Sequence, residues 1–125
     1  MRILLLADVH ANWPALQAIT EPHDLCLCLG DLVDYGLDPA PCVDWARHNA
    51  LITMRGNHDH GVAQNVPVSG RNGYKYLTGV TRPLSRERLS AGRDGAVEGW
   101  RFARSGERGI LRAGEAYRKR QSKNQ

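Results

Sequence analysis

Residues 24–34 read DLCLCLGDLVD, a short apolar run that ends in a glycine and an acid. A continuous apolar run of this length is typical of a strand buried on both faces of a parallel sheet. Two more runs end in a similar way, because RILLLAD at 2–8 closes with Asp8 and ALITM at 50–54 is followed by RGNHDH. The sequence therefore predicts three short strands, each leading directly into polar residues.

The two segments that separate these runs have the features of helices. In NWPALQAI, Asn12 is placed to cap a helix, and Pro14 is tolerated in the first turn. In DPAPCVDWARHN, Asp38 holds the equivalent capping position. Strand, helix, strand, helix, strand implies right-handed crossovers and a parallel sheet. We therefore predict an α/β fold with a clear βαβαβ unit in its N-terminal half.

The signals for secondary structure weaken after Val66. YKYLTGV at 74–80 is compatible with a strand or with a turn-rich connection, and PLSRERLS at 83–90 has the pattern of a short polar helix. AVEGWRFA at 96–103 has strand-like character. We expect the folded domain to occupy residues 1–103, and we expect residues 104–125 to form a basic, disordered tail.

The two halves of the chain differ in charge and in chemistry. Residues 1–66 carry 3 Lys or Arg and 8 Asp or Glu, whereas residues 67–125 carry 14 and 5. All five histidines and all three cysteines precede residue 61. An odd number of cysteines argues against a disulfide framework, and no apolar run approaches the ~18 residues of a membrane span. The first ten residues also fail as a signal peptide, so we expect a cytoplasmic protein without a membrane partner.

The polar residues that follow the three strands are suited to binding metal ions. The carboxyl ends of parallel strands share one edge of the sheet, so these residues should converge there. Asp8 and His10 can both reach one ion, and Asp31 can place its two oxygens between two ions. Asn57 can bind the second ion through its amide oxygen.

Three segments at this edge carry a family resemblance. DVHAN at 8–12, LGDLVDYG at 29–36 and RGNHDH at 55–60 resemble the calcineurin-like metallophosphoesterases, particularly small bacterial phosphodiesterase-like members. The family patterns are D-x-H-x-N, G-D-x-x-D-x-G and G-N-H-D, each placed after a strand. The resemblance covers residues 1–62 and implies a four-layer α/β/β/α sandwich.

The resemblance implies a metal site and a substrate. Asp8 and His10 would hold one divalent ion, Asp31 would bridge two ions and Asn57 would hold the second. Manganese is the expected metal, with iron, zinc, nickel or magnesium as alternatives. The two ions would activate a water for in-line attack on a phosphate mono- or diester, either a small molecule or a nucleotide.

The resemblance also implies roles for three further side chains. His58 would lie over the scissile phosphate and protonate the leaving oxygen. Asp59 would orient and polarise His58, as carboxylates do for catalytic imidazoles. Asn12 would be structural or would face the substrate phosphate.

The C-terminal half departs from the family pattern. The family completes its site with a later histidine and a Gly-His-x-His pair, whereas this sequence has no histidine after His60. Arg104 and Ser105 stand where the first of these would fall. The chain is therefore a short natural variant, a non-catalytic relative, or a truncated or frame-shifted product, and we favour the last because glycine and arginine become frequent after Val66.

A non-catalytic function is the alternative to hydrolysis. The basic half would bind polyanions or nucleic acid while the incomplete site remains inactive. The sequence leaves the oligomeric state open.

Overall fold

The computed structural model describes residues 1–68 and 75–90. Its three strands form one parallel sheet in the order β1-β2-β3. This arrangement confirms the predicted α/β class and the βαβαβ unit. The elements in chain order are β1 (Ile3–Leu6), α1 (Trp13–Gln17), β2 (Leu25–Cys28), α2 (Pro39–Asn49), β3 (Ile52–Thr53), α3 (Asn57–Ala63) and α4 (Lys75–Ser90).

The two faces of the sheet differ in burial. Cys26 and Cys28 of β2 are 2% and 0% exposed, and Cys28 belongs to a core cluster that includes Val43 of α2 and Leu89 of α4. Right-handed crossovers place α1 and α2 over the same face, which explains this burial. The opposite face carries five aliphatic side chains that are exposed or half-buried: Ile3, Leu5, Leu25, Leu27 and Ile52.

The caps of the first two helices follow the sequence only in part. The Asn12 side chain accepts a hydrogen bond from the Ala15 N–H at 3.2 Å, as predicted for the start of α1. Asp38 holds the N-cap position of α2 without a capping hydrogen bond from its side chain. Its carboxylate instead lies 3.7 Å from Arg88 Nη1 of α4, so this acid ties two helices together.

Helix α4 corrects the interpretation of residues 74–80 as a strand or a turn-rich connection. The helix begins at Lys75 and continues to Ser90, with Pro83 inside it. Its buried side chains recur at helical spacing, and they are Thr78, Thr81, Ser85 and Leu89. The first three of these are polar. A stripe of threonine and serine gives no apolar periodicity, and for this reason the sequence pattern missed the first two turns.

The remaining C-terminal expectations lie outside the described residues. These are the strand-like segment at 96–103 and the basic tail at 104–125. Within residues 1–68 and 75–90, no helix has the length and apolar character needed to cross a bilayer.

Candidate active site

Three side chains from separate parts of the sequence meet at the carboxyl edge of the sheet. His10 follows β1, Asp31 follows β2, and His58 lies in the first turn of α3, just after β3. One potential ligand atom from each residue lies within 4.8 Å of the other two, and all three side chains are half-buried. The structure thus brings together one predicted ligand from each of two strands and the predicted acid.

The loops that carry these residues have unusual backbone conformations. The values of φ are positive at Asp8 (53°), His10 (48°), Asp31 (55°) and Asp34 (70°). Positive φ at a residue other than glycine costs on the order of 1 kcal/mol or more and persists only where surrounding contacts enforce it. Here the two loops are hydrogen-bonded to each other, for example from the His10 N–H to the Asp31 carbonyl at 2.9 Å.

Both histidines direct Nδ1 at a hydrogen-bond acceptor. His10 Nδ1 lies 3.1 Å from the Val33 carbonyl, and His58 Nδ1 lies 3.1 Å from Asp34 Oδ2. This geometry favours a proton on each Nδ1, and a neutral ring in that tautomer offers the lone pair of Nε2 to a metal ion. Histidine ligands in metal sites are held in this way by carbonyls and carboxylates. The donor set therefore fits a divalent metal ion.

Other groups of the site contact both Nε2 atoms. Asp8 Oδ1 lies 3.4 Å from His10 Nε2, and the Tyr35 hydroxyl lies 3.4 Å from His58 Nε2. The rings of His10, Tyr35 and His58 are mutual neighbours, with centroids 4.6 to 4.8 Å apart. Tyr35 therefore belongs to the site, although the sequence pattern alone indicated no role for it.

Two glycines allow the loops after β2 and β3 to approach each other. Gly30 has φ of 110°, and a Cβ there would overlap the backbone of Gly56. A Cβ on Gly56 would overlap the carboxylate of Asp31. The same close approach lets the His58 N–H donate to Asp31 Oδ1 at 2.9 Å, which orients that carboxylate.

Asp59 does not have the expected contact with His58. Its Oδ2 accepts hydrogen bonds from the N–H groups of Asp31 (2.8 Å) and Gly56 (2.9 Å), and its Oδ1 accepts from Leu32 (2.9 Å). Burial raises the pKa of Asp59, although these three hydrogen bonds oppose the shift. Asp59 therefore joins two loops, and the expectation that it orients His58 is corrected.

The carboxylate that contacts the His58 ring is Asp34, which is fully buried. The sequence pattern alone indicated no site role for Asp34. The available signal was the second acid of DLVD, because a buried carboxylate needs partners and the apolar residues around it predict burial.

The other predicted site residues are Asp8, Asn57 and Asn12, and none of them belongs to the three-residue group. The Asp8 side chain is 71% exposed and lies outside the three-residue group, although it contacts His10. Asn57 is the exposed first residue of α3. Asn12 caps α1 and also lines a depression of about 400 Å³ beside His10. The metal-binding and substrate-binding roles of these three residues stay predictions.

Comparison with known proteins gives consistent matches. The sequence profile of the calcineurin-like phosphoesterase family matches residues 1–114. An uncharacterised protein of Methanocaldococcus jannaschii is 37% identical over 67 residues, an alignment that covers 48% of this chain and 27% of the relative. The crystal structure of a metallophosphoesterase from Sphaerobacter thermophilus is similar with a TM-score of 0.52 and 36% identity, covering 73% of this chain and 40% of that one. The chain thus spans less than half the length of either protein.

Proposed function

The chain belongs to the calcineurin-like phosphoesterase family, and from that membership we propose that it hydrolyses a phosphate ester with the help of divalent metal ions. The observation that carries the proposal is the convergence of His10, Asp31 and His58 at the edge of the sheet. The imidazole of His10 and the carboxylate of Asp31 form a mixed donor pair that suits divalent ions such as manganese, iron or zinc. Asp8 and Asn57 would complete the ligand set.

Each residue of the site has a defined task in this proposal. His10 and Asp31 hold the metal, with His10 aligned by the Val33 carbonyl. Metal ions, when bound, supply positive charge that activates water and neutralises the phosphoryl oxygens. His58 in its protonated form carries a proton on Nε2 and donates it to the leaving oxygen, while Asp34 accepts the hydrogen bond from Nδ1.

A surface depression beside the site could hold the organic part of a substrate. The depression of about 400 Å³ has His10, Tyr35 and Asp38 among its lining residues. Its lining mixes an aromatic ring, backbone and polar side chains, as suits the organic part of a phosphate ester. We therefore propose a phosphate mono- or diester such as a nucleotide.

Hydrolysis of bis(p-nitrophenyl) phosphate by the full chain tests this function. We expect turnover that requires Mn²⁺ and is abolished by a chelator. Asp31→Asn keeps the acceptor for the His58 N–H but removes the ligand charge, so it should lower the rate by about 10²-fold or more. Asp44→Asn makes the same change in an ion pair on α2 and should leave the rate unchanged. Metal-independent turnover, or equal rates in the two variants, would contradict the proposal.

Binding of a polyanion is the second candidate, favoured by the excess of 14 basic over 5 acidic residues in 67–125. Within the described part of that half, the arginines are engaged internally: Arg82 with Asp34, Arg86 with the Val62 carbonyl and Arg88 with the Leu37 carbonyl. Binding would therefore depend on the residues beyond α4. Salt-sensitive binding of single-stranded DNA that is lost on deleting residues 115–125, without any turnover, would favour this candidate.

A further inference from the structure

Helix α4 is hydrogen-bonded to the carboxylate of Asp34, which contacts the site. Asp34 is fully buried, and its Oδ2 accepts from both Nε (3.1 Å) and Nη2 (2.9 Å) of Arg82. Its Oδ1 accepts from the Thr81 hydroxyl at 3.2 Å. The same Oδ2 faces His58 Nδ1, so two consecutive residues of α4 anchor the group that holds the imidazole.

Neighbouring residues fix the position of the Arg82 side chain. Its third nitrogen, Nη1, donates to the Val66 carbonyl at 2.9 Å, so each of the three guanidinium nitrogens has an acceptor within the chain. A Cβ on Gly61 of α3 would come within 2.7 Å of the guanidinium carbon, so only glycine leaves room there. The Thr81 hydroxyl also accepts from the Tyr35 N–H at 3.0 Å and thereby braces the loop that carries Asp34.

A buried carboxylate needs this compensation. An unpaired buried charge is costly, and a half-buried imidazole alone is a weak counterion when neutral. Arg82 supplies a permanent positive charge, and its planar guanidinium restricts where the carboxylate oxygens can lie. Because α4 holds Asp34 in place, Oδ2 of Asp34 gives the Nδ1 proton of His58 an acceptor at a fixed position.

We propose that Thr81 and Arg82 are positioning residues for His58, which they orient through Asp34 so that Nε2 faces the reacting phosphate. The role of the oriented ring in proton donation rests on the proposed function, whereas the orientation itself is a property of the chain without metal or substrate. The hydrogen bonds of Thr81 and Arg82 given above go to Asp34, Tyr35 and Val66, and Asp34 contacts the three-residue group through His58 Nδ1.

Imidazole ¹⁵N spectroscopy of the full chain without metal tests the orientation. At about pH 8.5 an unperturbed imidazole is neutral, so the spectra report the tautomer. We expect the wild type to hold His58 with its proton on Nδ1 and Arg82→Ala to show a mixture of tautomers. Arg86→Ala is the matched control, because Arg86 lies one turn later on α4 and donates to backbone carbonyls of α3. It should retain the wild-type spectrum.

Two further variants keep the test decisive if Arg82→Ala does not fold. Thr81→Val preserves shape and removes the hydrogen bonds to Asp34 and Tyr35, so it should also admit the second tautomer. Arg82→Lys keeps the charge and should restore part of the wild-type signal. If the foldable variants retain the wild-type tautomer, the proposal is wrong.

Leaving-group dependence separates positioning from a merely structural role. Two substrates share thymidine 5′-phosphate, one esterified to p-nitrophenol and the other to a second thymidine. Because p-nitrophenolate leaves without a proton, Arg82→Ala should lower kcat by about 10²-fold for the dinucleotide and much less for the aryl ester. KM should stay within about twofold, and Arg86→Ala should not change the ratio.

The two experiments distinguish their failures. If the wild type turns over neither substrate but the tautomer changes as expected, the proposed function fails and the positioning role stands. If turnover is present and Arg82→Ala affects both substrates equally, the positioning role is overturned.

Discussion

The carboxylate of Asp59 joins the loop after β2 to the start of α3 through three backbone N–H groups. The ring of His58, one residue earlier, contacts a different group, the carboxylate of Asp34. Successive side chains on a helix point about 100° apart, so neighbours in sequence need not share a partner. The sequence identified the residues of this motif, but it could not show which acid faces the imidazole.

Asp59→Asn is expected to destabilise the protein even though it removes a buried charge. An asparagine offers one acceptor oxygen, whereas Asp59 uses both oxygens, so an amide nitrogen would face a backbone N–H. A buried donor left without a partner costs about 1–3 kcal/mol. Urea unfolding should show this loss, with Asp44→Asn within about 0.5 kcal/mol of wild type. A variant as stable as wild type would contradict the inference that Asp59 stabilises the fold by joining these two segments.

Gly30→Ala and Gly79→Ala are expected to shift stability in opposite directions. At Gly30, φ of 110° is costly for alanine by about 1–3 kcal/mol, and the added Cβ would overlap Gly56. At Gly79 on α4, an added Cβ meets nothing within 4 Å, so alanine should stabilise the helix by about 0.5–1 kcal/mol. Chemical denaturation of both variants checks the pair, and effects of the same sign would contradict the backbone geometry.

At the scale of elements, β2 and α2 bury all the thiols. Burial raises the pKa of Cys26 to about 11 and that of Cys42 to about 12, and it also raises the pKa of Cys28. Cys26 and Cys28 alternate with leucines in β2, and both point to the buried face of the sheet. These cysteines therefore serve packing.

The thiols should resist alkylation in the folded state and weaken the fold in alkali. The folded chain holds these protons more tightly than the unfolded chain, whose thiols titrate near 9.0. Their contribution is therefore complete below about pH 9 and declines as the pH rises toward the folded values. Iodoacetamide labelling followed by mass spectrometry should modify all three only after unfolding, and the urea midpoint should fall above about pH 9. Rapid labelling of the native chain would contradict this.

The strands and α4 differ in how far the sequence predicts them. The strands are continuous apolar runs, and their positions agree with the structure. Helix α4 buries hydroxyl side chains and anchors Asp34, so its fit depends on partners far away in sequence. Local pattern predicted the part of this helix at 83–90 but not its first two turns, whose buried threonines depend on tertiary contacts.

At the scale of the whole molecule, one face of the sheet carries aliphatic side chains that the described helices do not cover. Ile3 and Leu5 of β1 are 46% and 61% exposed, next to half-buried Leu25 and Leu27 of β2. The described helices that follow β1 and β2 lie over the other face. The predicted sandwich accounts for this apolar face, because a second layer would cover it.

Leu5→Lys is therefore expected to reduce binding of the dye ANS by the native chain while leaving stability within about 1 kcal/mol of wild type. Val80→Lys is the matched control, because Val80 is 71% exposed on α4, away from the sheet. It should change dye fluorescence little. Equal effects of the two substitutions would mean that the sheet face is covered in solution.

The central claim is that His10 and Asp31 hold a divalent metal ion beside His58, and calorimetric titration of the metal-free full chain with MnCl₂ tests it most directly. The account predicts saturable binding that His10→Ala weakens by about 10-fold or more. His48→Ala, which removes an exposed imidazole hydrogen-bonded to the Asp44 carbonyl, should bind as wild type does. Absence of binding by the wild type, or equal binding by both variants, would contradict the account.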